Sequence, residues 1–368
     1  MTDAAISPAP AAAASRGEVD DELRRMLRER TDRAAAYGPA FVALWEAASA
    51  TLLGGKMLRP RLLMTAFDAL RSDTESPDAD SACDRESAVR IAAAIEVLHF
   101  AFLLHDDVID GDLQRRGRPN LIGALLNERA GLRAHDDLHW ARTNALLLGD
   151  ILLSAAHQVI AREHLEHDRR LRLLDLLDHT ITESVAGEQL DVGLADRVLP
   201  ADLTTVLDMT RLKTATYTFE LPLRAAIILA GSTAGTEVAV AEIGRHLGVA
   251  FQLQDDLLST FGRPDEHGKD AYSDLREGKE TAAIAYARMT SSWPSIERHF
   301  GSPRLTSIEG DSLRTRLTEC GAEGFVRSLV DDQLRACVEL LESADSGIPS
   351  ALDPVIGDML AAIEGRRS

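Results

Sequence analysis

Four aspartates stand within seven residues at the end of a long apolar run: Asp106, Asp107, Asp110 and Asp112. In a helix, Asp106 and Asp110 are four residues apart and lie on one face. Carboxylates at the C-terminal end of a helix add to its partial negative charge, so this arrangement requires a counter-charge. Oxygen-ligated Mg²⁺ would supply it, and Arg115 and Arg116 would suit a phosphate-bearing ligand. A solvated acidic turn that closes a helix is the alternative.

A second apolar stretch ends in the same way, with Asp255 and Asp256. Gln252 precedes them by three and four residues and so shares their helical face. Two apolar helices that both end in paired carboxylates are harder to explain as solvated turns than one. If the two ends converge, they could hold Mg²⁺ ions that also bind substrate phosphate oxygens. Bound diphosphate is then a better leaving group, because the metal ions neutralise its developing charge.

The elements that position these residues are predicted to be helices. Helical periodicity runs through almost the whole chain, and no convincing stretch alternates as a strand does. Hydrophobic residues make up 45% of the sequence but aromatic residues only 4%, so the core consists mainly of Ala, Leu, Ile and Val. The longest apolar run, 88–104, contains Arg90, Glu96 and His99, which favours a buried core helix over a membrane span. The sequence therefore predicts an all-α fold.

The predicted domain organisation is a disordered tail at 1–16 and a single domain at 17–368. The principal helices are expected at 18–37, 41–53, 56–70, 87–110, 140–163, 169–194, 203–210, 213–230 and 237–258. Peripheral helices are expected at 281–289, 297–300, 312–320, 325–343 and 352–363. A break is predicted at 187–191 and a bend at Pro222. The stretches 71–86 and 260–279 are polar and are predicted to be loops.

Charge and cysteine usage exclude several classes of function. The formal net charge of −19 argues against a nucleic-acid partner. The three cysteines show no paired metal spacing, and their odd number is typical of a reducing compartment without a disulfide framework. The first residues lack the basic start and apolar core of a secretory signal. A cytoplasmic location is expected.

The motifs, taken in order, resemble those of the trans-prenyltransferases, the isoprenyl diphosphate synthases of the head-to-tail type. The resemblance extends from about Gly54 to Ala285. It rests on Gly54–Pro60, Leu98-His99, Asp106–Asp110 with Arg115-Arg116-Gly117, Gly149-Asp150, Gly187–Asp191, Lys213-Thr214, and Phe251-Gln252 with Asp255-Asp256; a loop with Lys269 and Glu277-Gly278-Lys279 follows. The family implies a helical bundle around a deep central cavity, with the two aspartate motifs facing each other at its mouth, and a homodimer.

The resemblance also implies roles for individual residues. The Mg²⁺ ligands, and with Lys213 the catalytic residues, would be Asp106, Asp107, Asp110, Asp255 and Asp256. Three Mg²⁺ ions per active site are expected, with Mn²⁺ as a substitute. The allylic diphosphate would contact Arg115, Lys213, Gln252 and Lys269, and Thr214 would support Lys213. Isopentenyl diphosphate would bind to Lys56, Arg59, His99 and Arg116. The two adjacent arginines could also share either anion, and Glu188 and Asp191 are second-choice site residues.

Two positions depart from the family pattern. Met57 stands where the family often has a basic residue, and Ser259 stands where the second motif commonly has its third aspartate. Product length should depend on what closes the apolar tunnel beneath the first motif. Phe102 lies one helical turn before Asp106, beside the small Ala101. This favours a short product. The resemblance to bacterial carotenoid-pathway enzymes implies C20 geranylgeranyl diphosphate, made from dimethylallyl, geranyl or farnesyl diphosphate.

Several other functions remain as alternatives. Farnesyl diphosphate or a longer polyprenyl diphosphate could be the product. A class I terpene cyclase would share the fold but would not need an isopentenyl diphosphate site, and Arg263 interrupts its Asn/Asp–Ser–Glu series. A non-catalytic partner subunit would lack the first aspartates, which are intact here. A di-iron carboxylate protein would need a second Glu-x-x-His pair like Glu96–His99, and no buried helix carries one.

Overall fold

The computed structural model describes residues 10–53, 55–72, 83–115, 117–128, 134–262 and 272–367. Helices make up most of these ranges. Their only strands are Gln114–Arg115 and Arg118–Pro119, which pair as one short antiparallel hairpin. The all-α prediction is therefore confirmed.

The chain divides into two compact units. The first extends to Leu177 and includes Ala225–Ser232, and the second comprises Asp178–Arg224 and the residues from Thr233 onward. Each unit buries its own aliphatic side chains, for example Leu63 and Ile91 in the first and Leu247 and Leu253 in the second. The single domain expected at 17–368 stays a prediction.

The first part of the chain forms seven α-helices among the described residues: α1 (Pro10–Ala34), α2 (Pro39–Leu52), α3 (Leu58–Ser72), α4 (Arg85–Asp110), α5 (Leu121–Glu128), α6 (Ala134–Arg162) and α7 (His167–Ala195). The later ones are α8 (Leu203–Thr210), a π-helix (Arg211–Glu220), α9 (Leu221–Ala230), α10 (Ala234–Phe261), α11 (Ser273–Glu277), α12 (Ala282–Arg288), α13 (Trp293–Ile296), α14 (Ser307–Glu319), α15 (Ala322–Glu342) and α16 (Asp353–Glu364). A 3₁₀ turn, Gly365–Arg367, follows α16.

Helix α4 is the central helix of the first unit and packs against α1, α3 and α6. The Asp84 carboxylate caps its start by accepting a hydrogen bond from the Ser87 amide. The Ser87 hydroxyl and the Arg90 guanidinium both donate to buried Glu163. Gly111 closes the helix in the left-handed conformation, with φ of 75°, which glycine adopts without strain. Both ends of α4 are therefore fixed, and the first aspartates lie in its last turns.

Two of the described helices, Arg85–Asp110 and Asp136–Arg162, are long and apolar enough to cross a membrane by composition alone. Most of the first is buried inside the unit, as expected for a core helix. The second keeps several apolar side chains at the surface, including Trp140, Leu146 and Leu147.

Helix α10 is the central helix of the second unit, where it packs against the π-helix, α15 and α16. The ten-residue π-helix was not predicted, since the sequence suggested an ordinary helix bent at Pro222. At its end, the amide of Leu221 donates to the carbonyl of Thr216, five residues earlier. Pro222 then falls in the first turn of α9, where its missing N–H is tolerated.

Two further expectations require correction. Helix α1 begins at Pro10, so residues 10–16 of the predicted disordered tail are helical, and residues 1–9 lie outside the described residues. Helix α7 continues without interruption through 187–191, where a break was expected. A glycine weakens a helix only slightly, so Gly187 alone does not end it. Of the two predicted loops, 71–86 and 260–279, residues 73–82 and 263–271 lie outside the described residues. Within the second loop, Ser273–Glu277 is helical, which corrects that part of the prediction.

Candidate functional site

The first aspartate motif occupies the last turns of α4. Asp107 is buried, Asp106 is partly buried and Asp110 is exposed. Asp107 is only 3% exposed, and its burial raises the pKa of this carboxyl above the usual aspartate range. The motif therefore places ionisable carboxylates where their negative charge is incompletely compensated.

Arg115 supplies a counter-charge from the short hairpin that follows α4. Its Nη2 lies 2.7 Å from Asp107 Oδ1 and 3.0 Å from Asp106 Oδ2, and its Nε donates to the same Asp107 oxygen at 3.2 Å. Arg115 was predicted to contact a diphosphate, whereas here it holds the two aspartates. Sequence spacing did not reveal this contact, because it depends on how the hairpin folds back. Arg116 lies outside the described residues.

A histidine connects the motif to α6. The ring of His105 lies with Nε2 at 3.3 Å from the Leu146 carbonyl oxygen and 3.4 Å from Asp150 Oδ1. A Cβ at Gly149 would fall 2.3 Å from that nitrogen, so only glycine leaves room for the ring. This explains physically why Gly149-Asp150 belongs with the first motif, and it adds His105 to the candidate residues.

The other candidate residues of the first unit lie on α3 and α4. Ala101 is fully buried, and Phe102, one turn before Asp106, is half-buried; their role in product length stays a prediction. Arg59, in the first turn of α3, is 9% exposed, while Lys56 just before that helix is exposed. His99 is half-buried on α4, which packs against α3.

Lys213 is held between two carboxylates on α7. From the third position of the π-helix, its Nζ lies 2.6 Å from Asp191 Oδ2 and 2.9 Å from Glu188 Oε2. These acidic residues were second-choice candidates, and the structure gives them a definite contact. The two carboxylates hold the ammonium group between α7 and the π-helix.

A chain of hydrogen bonds leads from the π-helix to the second aspartate motif. The Thr214 hydroxyl donates to Gln252 Oε1 at 3.1 Å, and Gln252 Nε2 donates to Asp256 Oδ1 at 3.0 Å. This contact orients Gln252, while the expected support of Lys213 by Thr214 stays a prediction. The prediction that Gln252 shares a face with the aspartates holds for Asp256.

Each aspartate of the second motif has a basic partner. Lys279 Nζ lies 3.1 Å from Asp256 Oδ1, and Arg366 Nη2 lies 3.5 Å from Asp255 Oδ1. Burial raises the pKa of Asp256, and the charge of Asp256 in turn raises the pKa of Lys279. The sequence analysis predicted no site role for Lys279, which it placed only in the loop segment Glu277-Gly278-Lys279.

The sequence offered different signals for the two basic partners. Lys279 falls in a Glu-Gly-Lys segment shortly after the second motif, which could have identified it. Arg366, more than a hundred residues after Asp255, carried no such signal. Lys269, a predicted diphosphate contact, lies outside the described residues.

The carboxylates fit Mg²⁺ by their chemistry, since this hard cation prefers oxygen ligands. Burial raises the pKa values of Asp107 and Asp256 although each has a basic partner, and a bound cation would further stabilise their ionised forms. Among the described residues, no three His, Cys, Asp or Glu side chains already form a metal-binding cluster. Arginine or lysine contacts three of the carboxylates closely, so metal binding would require some of these contacts to rearrange.

Comparison with known proteins identifies relatives of this chain. A family model described as polyprenyl synthetase matches residues 42–301, a range that contains both aspartate motifs. A geranylgeranyl diphosphate synthase of Methanosarcina mazei is 30% identical over 305 residues, covering 79% of this chain and 85% of the relative. A (2E,6E)-farnesyl diphosphate synthase of Mycobacterium bovis is 31% identical over 293 residues, covering 78% of this chain and 67% of the relative.

The fold is similar to that of solved structures. A geranylgeranyl pyrophosphate synthase from Corynebacterium glutamicum, solved in complex with isoprenyl diphosphate and magnesium, aligns with a TM-score of 0.83. The two chains are 26% identical, and the alignment covers 95% of this chain and 98% of that one.

Proposed function

The chain belongs to the polyprenyl synthetase family and is a prenyltransferase, and we propose on this premise that it joins isopentenyl diphosphate to allylic diphosphates to make geranylgeranyl diphosphate. The observation that carries the proposal is that the family match spans both helix ends with paired aspartates, all of them intact. The proposed substrates are both organic diphosphates, so the site must bind anions and release one.

The distribution of lysine supports an anionic substrate. Of the 40 basic residues only four are lysines: Lys56, Lys213, Lys269 and Lys279. Three of these were predicted substrate contacts, and the fourth pairs with Asp256. A compact ammonium group can move between a carboxylate and a phosphate oxygen, whereas surface charge elsewhere in this chain is supplied by arginine.

The proposed cofactor is Mg²⁺, with three ions per active site and Mn²⁺ as a substitute. The ligands would be Asp106, Asp107, Asp110, Asp255 and Asp256. When bound, the metal supplies positive charge that neutralises the diphosphate leaving group. Ser259 is half-buried on α10 and offers a hydroxyl where a third carboxylate would stand. The second motif thus brings less negative charge than the first.

The residues of this chain then have distinct tasks in the reaction. Lys213, Arg115 and Gln252 bind the allylic diphosphate, so the carbon–oxygen bond breaks with the electron pair leaving on the diphosphate. The double bond of isopentenyl diphosphate supplies the electrons of the new carbon–carbon bond. A proton is then lost to the released diphosphate. Lys56, Arg59, His99 and Arg116 hold isopentenyl diphosphate by its own diphosphate, which leaves its double bond free.

The product is proposed to be C20. Phe102 is half-buried one turn before Asp106, where a large ring limits the depth available to a growing chain. The two relatives described above bear the names of a C20 and a C15 synthase, and both lengths are short. Farnesyl diphosphate or a longer product remains the alternative.

A homodimer in the cytoplasm is also proposed. Helix α6 leaves three large apolar side chains at the surface: Trp140 is 43% exposed, Leu146 44% and Leu147 53%. A second copy of this chain would cover this apolar surface. Light scattering of wild type and of Leu147→Asp tests this: the substitution should produce monomers, and a monomeric wild type would contradict the proposal.

The decisive assay combines purified protein, Mg²⁺, labelled isopentenyl diphosphate and one primer, the C5, C10 or C15 allylic diphosphate. We expect label in a C20 product with each primer. The same assay without Mg²⁺, and with Asp106→Asn/Asp107→Asn protein, should show no incorporation. Absence of label in any product, from a folded wild type with every primer, would contradict the proposed function.

A further inference from the structure

Among the described residues, Lys279 and Arg366 are basic partners of the second aspartate motif, and they are held differently. Asp256 is 9% exposed and lies 3.1 Å from Lys279, whereas Asp255 is 33% exposed and lies 3.5 Å from Arg366. An ion pair is weaker when it is longer and its carboxylate faces water. Lys279 is therefore a fixed partner, and Arg366 is the one that another cation can replace.

The structure holds Arg366 by contacts other than the ion pair. Its backbone carbonyl accepts a hydrogen bond from buried Gln254 at 3.2 Å, and its guanidinium lies 4.6 Å from the ring centre of Phe251. The first contact fixes the backbone of Arg366 beside the motif, and the second holds its guanidinium on the Phe251 ring independently of Asp255. A cation–π contact of this kind does not need the carboxylate.

We propose that Arg366 is an exchangeable counter-ion that competes with a divalent cation for Asp255 and so sets the metal affinity of the second motif. This rests on the proposed function, in which Asp255 is a metal ligand. When the metal binds, the guanidinium leaves the carboxylate and stays on the Phe251 ring. Because Ser259 replaces a third carboxylate, Asp255 and Asp256 are the only aspartates of this motif, and Lys279 holds one of them. Competition at Asp255 therefore affects the affinity directly.

Direct measurement of Mn²⁺ binding tests the competition without relying on activity. Free Mn²⁺ is followed by electron paramagnetic resonance during titration of wild type, Arg366→Ala and Arg366→Lys. We expect Arg366→Ala to bind Mn²⁺ about two- to fivefold more tightly, as removal of a partly exposed ion pair allows. Arg366→Lys keeps the positive charge and should stay near wild type.

Two controls separate this effect from general changes in charge. Arg335→Ala removes an arginine that pairs with Asp332 at 3.0 Å on an exposed face of α15, and it should leave Mn²⁺ binding unchanged. On an Asp255→Asn background, Arg366→Ala should also have no effect, because the shared carboxylate is gone. Thermal melting of each variant confirms that it is folded.

The possible failures are distinguishable. A folded wild type that binds no Mn²⁺ would overturn the metal-dependent function, and the competition with it. Equal Mn²⁺ affinity in wild type and Arg366→Ala would overturn the competition alone, and so would weaker binding in Arg366→Ala. An equal gain in Mn²⁺ affinity from Arg335→Ala would show that only the net charge of the protein matters. That result would also overturn the proposed competition.

Discussion

Gly187 of α7 lies directly against the backbone of Lys213. A Cβ at Gly187 would fall 2.3 Å from the Lys213 amide nitrogen and 2.7 Å from its Cα. Gly248 of α10 has the same relation to Ala215, whose Cα would lie 2.4 Å from the added Cβ. The π-helix is therefore in backbone contact with α7 and with α10. This close approach is possible because Gly187 and Gly248 have no Cβ.

Gly187→Ala should displace Lys213 from Asp191 and Glu188. The new methyl group meets backbone atoms, which cannot move aside as the end of a side chain can. We expect a stability loss of about 1–3 kcal/mol, as for other overpacked sites, measured by urea unfolding. The kcat/KM for prenyl transfer should also fall, since the lysine is carried by the displaced segment.

Gly324→Ala is the matched control for this substitution. Gly324 also lies within a helix, but no atom lies within 4 Å of its added Cβ. Helix propensity alone then predicts unchanged activity and a gain of up to about 1 kcal/mol. Similar losses in both variants would show that the contact at Lys213 is not responsible.

The sequence predicted the helices but not how they approach one another. A break was predicted at 187–191, because glycine is common at helix ends. In the structure the helix continues and Gly187 serves contact with Lys213. Local propensity cannot reveal this, since the partner is 26 positions away and only packing brings it near.

In the candidate site too, the sequence predicted the local positions of the residues but not their tertiary contacts. The clustering of the acidic residues was evident from spacing. The first helix ends at Asp110 as expected, and the second continues to Phe261, three residues beyond its expected end. The partners were not evident, because Arg115 reaches Asp106 through a hairpin and Arg366 reaches Asp255 from a distant helix. Contacts that depend on tertiary folding leave no periodic signal.

Lys213→Gln should weaken binding of the allylic diphosphate. Removing a charge-assisted hydrogen bond typically loses 1.5–3 kcal/mol, so we expect kcat/KM to fall roughly 10- to 100-fold in steady-state assays. The control is Arg211→Gln, two residues away on the same π-helix, whose guanidinium pairs with Glu183 at 3.5 Å. The kcat/KM of Arg211→Gln should stay near that of wild type. An equal loss of kcat/KM in both variants would contradict a specific role for Lys213.

Phe102→Ala should lengthen the product by at least one C5 unit. Its ring lies one turn before Asp106, so truncation deepens the space beneath the first motif. Products are sized by mass spectrometry after hydrolysis of the diphosphate. Leu103→Ala removes a half-buried side chain from the adjacent position and should leave the product length unchanged. An unchanged product from Phe102→Ala would show that another residue limits chain growth.

Asp107→Asn should stabilise the metal-free protein at neutral pH. Burial raises the pKa of Asp107 in the folded protein, so its ionised form opposes folding, although Arg115 offsets part of this effect. A carboxyl with a raised folded pKa favours folding at low pH, and that contribution is lost as the pH rises through the folded pKa. The asparagine is neutral throughout, so its advantage in Tm should be present at pH 7 and shrink in acid.

Thermal melts of metal-free protein at several pH values between 4 and 7 measure this difference. Asp112→Asn changes an exposed carboxylate of the same segment, and its Tm should equal that of wild type at each pH. Mg²⁺ should reverse the order of stability, because a metal bound to ionised Asp107 stabilises wild type and cannot bind the asparagine as strongly. A lower Tm for metal-free Asp107→Asn at pH 7 would show that the contact with Arg115 outweighs the burial of the charge.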